Sequence, residues 1–159
     1  MSIPSSVVLE TLRSLPDVVE PWFRAIPENN LDRRRTAGAW TLREHLYHVA
    51  AVQAMLLDRM KRLRDEAHAV ITPYFPQNEP ALADRYPSVD AAFVEYRTRR
   101  AEQMTLLSGL SPDDWSRPAE HPEYELYNLG LVVHHLIFHE YWHLYRTEEL
   151  WLTKDGYLS

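Results

Sequence analysis

The amino-acid sequence predicts an all-α protein: a four-helix bundle running up-down-down-up, with a long crossover between its second and third helices. Three observations lead there. Among 159 residues only four are glycine, the eleven prolines cluster between long apolar-periodic segments, and no run alternates apolar and polar residues as a half-buried strand does. A chain of this length forms one domain, 1–159, and can bury a substantial single core.

The first helical segment runs from about Ser5 to Ala25. Val7, Val8, Leu12, Leu15, Val18, Val19, Trp22 and Phe23 give it an apolar stripe, and Pro16 bends it. The second opens at Thr41, where Thr41-Leu42-Arg43-Glu44 has the form of a capping box, and continues to about Ala67 with Leu42, Leu46, Val49, Val52, Leu56, Met60 and Leu63 inward. The third begins after Pro87 with Ser88 as its cap, carries Ala92, Phe93, Tyr96, Met104 and Leu107, and stops at Gly109. Ser111-Pro112-Asp113-Asp114-Trp115 suggests one short helical turn. The fourth starts near Asn128 and reaches about Leu152. Between the second and third, the 18 residues from Val70 to Pro87 contain Pro73, Pro76, Pro80 and Pro87. Extended, they reach roughly 55–60 Å, more than the ~36 Å of a 24-residue helix, so they can cross the bundle and leave its neighbours parallel. Tyr74, Phe75 and Tyr86 are its expected anchors.

Composition narrows the chemistry. Without cysteine there are no disulfides, thiolate ligands or cysteine nucleophiles, so a transition metal can be held only by histidine and carboxylate. A net charge of −6 argues against a nucleic-acid partner, because phosphate contacts need a positive surface. The opening residues lack a basic stretch followed by a long apolar run, and no segment approaches a membrane span; a cytoplasmic protein is expected.

The histidines are the most informative residues. His139 and His143 are four apart on the last helix, one turn above each other, and can offer ring nitrogens to one ion. On a helical wheel His135, His139 and His143 share the direction of Val132 and Leu136. His135 and His143 lie two turns apart, about 12 Å, so only one adjacent pair ligates and the other histidine stacks above or below it. His134 falls on another side. A third ligand comes from His45 or His48 on the second helix, and the wheel slightly prefers His45. Several imidazoles aimed into one core are costly to desolvate unless a divalent cation satisfies them together. His139-Glu140-x-x-His143 also matches the zinc-protease motif, in which Glu140 would be the general base. That reading is a minor one: no strand is expected to hold an extended peptide. Glu140 remains a candidate catalytic group that orients water or a ligand imidazole, against an ordinary role as a solvated helix carboxylate. Arg33-Arg34-Arg35 and Arg97, Arg99 and Arg100 read as solvated faces.

Trp40-Thr41-Leu42-Arg43-Glu44-His45-Leu46-Tyr47-His48-Val49-Ala50, followed downstream by His139-x-x-x-His143, resembles the DinB/YfiT-like superfamily of metal-dependent four-helix bundles over nearly the whole chain. The resemblance implies His48, His139 and His143 as the metal set, nickel or zinc as the ion, the up-down-down-up topology and a homodimer. It also implies a metal-dependent enzyme acting on a small molecule, as thiol S-transferase with a low-molecular-weight thiol or as hydrolase. Where many relatives have Arg-Gly-Gln after the last histidine, this chain has Leu144-Tyr145-Arg146. Three neutral histidines would leave the ion its full charge and an open position, lowering the pKa of a water or thiol; His45, Tyr47, His135 and Glu140 are candidate proton carriers. The alternative is a metal-containing structural or stress-related dimer without turnover, which a sealed four-ligand site would favour.

Overall fold

A computed structural model describes residues 6–75 and 81–157. Its α-helices are α1 (Ser6–Ser14), α2 (Pro16–Ala25), α3 (Leu42–Asp65), α4 (Val89–Ser108), α5 (Pro112–Ser116) and α6 (Leu129–Leu152). Among the described residues there are no strands, only isolated bridges Arg34 to Thr41 and Val70 to Glu120. No described helix is long and apolar enough to cross a membrane.

Local chemistry sets the boundaries. Pro16 cannot donate a backbone hydrogen bond, so it begins α2 rather than continuing α1, and Leu15 between them keeps helical angles. The first segment is thus one arm bent at Pro16. Thr41 and Glu44 close the reciprocal capping box: the Glu44 amide donates to Thr41 Oγ1 at 3.1 Å and the Thr41 amide to Glu44 Oε2 at 2.7 Å. Ser88 and Asn128 accept from Ala91 and Leu131 at the starts of α4 and α6. Gly109 follows α4 with φ −96°, so its left-handed freedom is not used there.

Two apolar clusters show how the arms run. At one end Leu12 and Leu15 pack with Leu56, Met60 and Leu63 late in α3, Leu106 and Leu107 late in α4, and Leu129, Val132 and Val133 early in α6. At the other end Val19 and Phe23 of α2 meet Leu42 and Leu46 early in α3, Ala92 and Phe93 early in α4, and Leu150 late in α6. The first arm therefore runs up, α3 and α4 both run down, and α6 returns up. Two parallel neighbours require the connection from α3 to α4 to traverse the bundle. It leaves α3 paired with the α5–α6 loop, through Ile71 N to Glu120 O at 2.8 Å and Glu120 N to Ala69 O at 2.9 Å. It arrives with Leu82 buried and Tyr86 edge-on to Tyr47, 5.2 Å between rings. Tyr74 packs against the core, whereas Phe75, expected as an anchor, is 44% exposed. Pro76 and Pro80 lie outside the described residues.

Arg34 and Arg97 are exposed, as the reading of solvated charge runs expects, but Arg33, Arg35 and Arg100 correct it. Arg33 donates to the carbonyls of Trp151 and Thr153 at the C-terminal end of α6, and Arg35 pairs with Glu149 at 3.1 Å. Both thereby tether the loop before α3 to that helix end, where carbonyls lack intrahelical donors. Arg100 is buried at 3% exposure and joins Glu140 inside the bundle.

Candidate metal centre

Because α3 and α6 are antiparallel, the first turns of α3 lie beside the last turns of α6. His48 consequently faces His139, and His45 faces His143. His48 Nε2 is 3.1 Å from His139 Nε2, and His143 Nε2 is 3.1 Å from the same His139 atom. The ligand atoms of His48, His139 and His143 all lie within 4.8 Å of one another. His45 is turned to the back of this group: its Nδ1 meets Nδ1 of His143 at 2.8 Å. The single residue that the helical wheel disfavoured, His48, is the one whose Nε2 joins the converging set.

The wheel places apolar neighbours correctly but cannot see rotamers, and on a helix the direction of the ring depends on χ angles as well as on register. His135 stacks over His139 with ring centroids 6.0 Å apart and is exposed on its outer side. His134 points elsewhere, its Nδ1 2.8 Å from the Gly130 carbonyl oxygen.

The site is mostly dry. His48 is 4% exposed and His143 2%. Desolvation pushes His48 and His45 down to about 4 and His139 down to about 3, with neighbouring histidines adding to the shift of His48 and His139 and the Arg146 cation to that of His45. His143 is lowered as well, first by burial and then by His139, His48 and His45. Near neutral pH all four are uncharged, the form in which imidazole offers a lone pair.

Their hydrogen-bonding needs are not met by protein alone. A neutral ring nitrogen carries either a proton or a lone pair, so His139 Nε2 cannot donate to one neighbour and accept from the other. Nδ1 of His48 and Nδ1 of His139 are buried with no partner. A cation at the meeting point removes the conflict by taking one lone pair from each Nε2. The 3.1 Å spacings suit it, since nitrogens about 2.0–2.1 Å from a tetrahedral ion lie about 3.3 Å apart. An all-imidazole set suits a divalent transition metal such as zinc, copper, iron or nickel.

Glu140, between the two α6 histidines, turns to α4 instead. It is 0% exposed, which corrects its reading as a solvated carboxylate. Tyr96 Oη donates to Glu140 Oε2 at 2.6 Å, Gln53 Nε2 donates to Oε1 at 2.9 Å, and Arg100 pairs with Oε1. Gln103 completes the network, donating to Gln53 and accepting from Arg100. Burial and the adjacent Glu140 charge raise the Tyr96 hydroxyl, which stays protonated and donates. None of these hydrogen bonds reaches a histidine. Tyr47, another candidate proton carrier, is buried against Tyr86.

Of the neighbours, Trp40 belongs to the motif, whereas Tyr74 and Tyr124 had no signal there. Trp40 lies 4.7 Å from the His48 ring and stacks on His143 at 6.0 Å and 14°. Tyr74 comes within 6.3 Å of His48 only because the crossover passes over it. A cavity of about 200 Å³ borders His48, His135 and His139, with Val52, Met55 and Leu56 on its apolar side and Arg59, Tyr74 and Tyr124 among its polar and aromatic walls. Tyr124 belongs to the loop before α6, where it packs on His121 and Tyr127. Gln53 and Gln103, polar residues on otherwise apolar helix faces, were the legible hint of the buried network.

The chain is similar to several known proteins in sequence and fold. A candidate metal-dependent hydrolase of Oceanobacillus iheyensis is 24% identical over 147 residues, spanning 92% of this chain and 86% of its own. One from Bacillus mycoides is 25% identical over 115 residues, 72% of this chain and 66% of its own. The solved structure of YfiT from Bacillus subtilis, described as a candidate metal-dependent hydrolase with an unusual four-helix bundle topology, superposes with a TM-score of 0.79 at 20% identity, covering 94% of this chain and 89% of that one. The family model of the DinB superfamily matches residues 11–152, which takes in every helix from α2 to α6 and all the histidines of the cluster; the chain belongs to the DinB superfamily.

Proposed function

We propose that the protein is a metal-dependent enzyme acting on a small molecule, as a thiol S-transferase or a hydrolase, with nickel or zinc held by His48, His139 and His143. The observation that carries this reading is the convergence of three neutral imidazoles, His48 and His143 buried and His139 partly so, with His48 and His139 at the edge of a cavity. A sealed structural site has no use for such a cavity, whereas an open one needs it to admit substrate. A divalent ion supplies Lewis acidity there, bringing an oxygen or sulfur donor closer to its anionic form near neutral pH.

The chain's own residues do the rest. His48, His139 and His143 present lone pairs without adding negative charge. Trp40, stacked on His143 and tilted against His48, keeps bulk water from one side. Val52, Met55 and Leu56 favour an apolar portion of the substrate, and Tyr74 and Tyr124 offer hydroxyls and ring faces to the remainder. His135, with His121 and Glu123, supplies titratable side chains on that wall to exchange a proton with a bound molecule. Glu140 serves through its buried pair with Arg100, positioning α6 rather than acting on substrate; this disfavours the zinc-protease reading, which needs that carboxylate at the ion.

Metal analysis of the purified protein tests the proposal. Stoichiometric nickel or zinc is expected in wild type and is lost when His48, His139 and His143 are replaced together by alanine. Undiminished metal content in that variant would overturn the assignment. Thiol-transfer and ester-hydrolysis assays on the loaded protein then separate the two reactions.

A further inference from the structure

His45 is not part of the converging set, yet it is buried to 6% exposure and ends against one of its members. The contact is specific in its atoms: Nδ1 of His45 to Nδ1 of His143, 2.8 Å. Two ring nitrogens at that distance share one proton, so one donates and the other accepts. The opposite nitrogen of His143, Nε2, is the atom aimed at His139 Nε2. A neutral His143 that offers a lone pair from Nε2 must carry its proton on Nδ1. That proton then has one acceptor in reach, Nδ1 of His45, which in turn carries its own proton on Nε2.

We infer that His45 is a positioning residue for the metal: it accepts the Nδ1 proton of His143, thereby holding that ring in the ligating tautomer and plane, and it is not a fourth ligand. The inference rests on the reading of His48, His139 and His143 as the metal set. It separates His143 from the other two members, whose Nδ1 atoms have no such partner. The surrounding rings support the arrangement mechanically. Trp40 lies edge-on to His45 at 5.5 Å while stacking on His143, and Trp142 meets His143 edge-on at 4.8 Å. His45 also borders a second cavity, of about 390 Å³, with Arg35, Trp40, Trp142 and Arg146 in its wall. It has ample room for a water to accept from Nε2–H. The two α3 histidines thus divide the work: His48 ligates from the side of the first cavity, and His45 orients from the side of the second.

Two substitutions and two readouts test this. His45→Phe keeps a flat ring and removes the acceptor; His45→Asn keeps an oxygen close to the position of Nδ1. Zinc and nickel affinities are measured by competition with a chelator, and the tautomer of His143 is read from histidine ring ¹⁵N signals in metal-free protein. His45→Phe is expected to weaken both metals by about 10–100-fold, as loss of an orienting partner does, and to remove the Nδ1-protonated signature of His143. His45→Asn is expected to restore most of the affinity and the signature. If wild type binds zinc or nickel and His45→Phe binds as tightly with the His143 tautomer unchanged, His45 has no positioning role. Four imidazoles around zinc by X-ray absorption would make it a ligand and also overturn the inference. A wild type that binds neither ion overturns the three-histidine reading itself.

Discussion

The carboxylate of Glu140 has no access to water and is surrounded by Arg100, Tyr96 and Gln53. Burying an ion pair is costly for both partners, and removing one leaves an uncompensated charge. Arg100→Met is therefore expected to destabilise the fold by about 3–5 kcal/mol in urea denaturation, while Arg100→Met with Glu140→Met together recovers most of the loss. A single variant as stable as wild type would show that the pair contributes little. The same pair explains why Arg100 and Arg97, three residues apart, differ so much: Arg97 sits outside with Glu20 and Asp17, while Arg100 turns inward. A run of arginines in the sequence carries no sign of which one the packing will enclose.

At the scale of elements, α3 depends on its first turn. Thr41 and Glu44 satisfy each other's backbone amides, and the helix they start carries both His45 and His48 within its first two turns. Thr41→Ala is expected to cost about 1 kcal/mol of stability, with an unchanged denaturant slope, because only a cap is lost. An unaltered unfolding midpoint would mean that the capping box is redundant. The cap, the proline that starts α2 and the asparagine before α6 were legible because each is a short-range effect, settled within a few residues of chain. The anchoring of the crossover was legible only in part. Tyr74 and Tyr86 pack as their aromatic character suggests, but Phe75 is left 44% exposed.

Across the whole molecule, the buried histidines couple stability to pH. In the metal-free protein His45 and His48 are held down to about 4 and His139 to about 3, with His143 lowered too, whereas in an unfolded chain each titrates near about 6.5. Between those limits the unfolded state binds more protons, so this contribution is complete above about 6.5 and is lost as pH falls through 6.5 toward 4. The slope is at most about 1.4 kcal/mol per pH unit for each histidine. Thermal or urea unfolding of metal-free protein between pH 7 and about pH 5.5 is expected to show the onset of this decline, above the range in which ordinary carboxylates, with midpoints near about 4, take up most of their protons. A flat profile there would mean that the rings are hydrated in the folded state.

Helix periodicity, caps and proline placement were enough to foretell an all-α bundle, its element order and, from the length of one connection, two parallel neighbours. They could do so because apolar period, capping and reach are properties of the local chain. His139 and His143 were likewise legible as a pair, since a single helix fixes their spacing. The family resemblance had already pointed to His48; what required the folded molecule was everything else that depends on facing partners: that His45 stands behind His143, that Glu140 turns to Arg100, and that Trp40, Tyr74 and Tyr124 wall the site. Those outcomes are set by rotamers and by the register between α3, α4 and α6, which packing chooses among helices far apart in the chain.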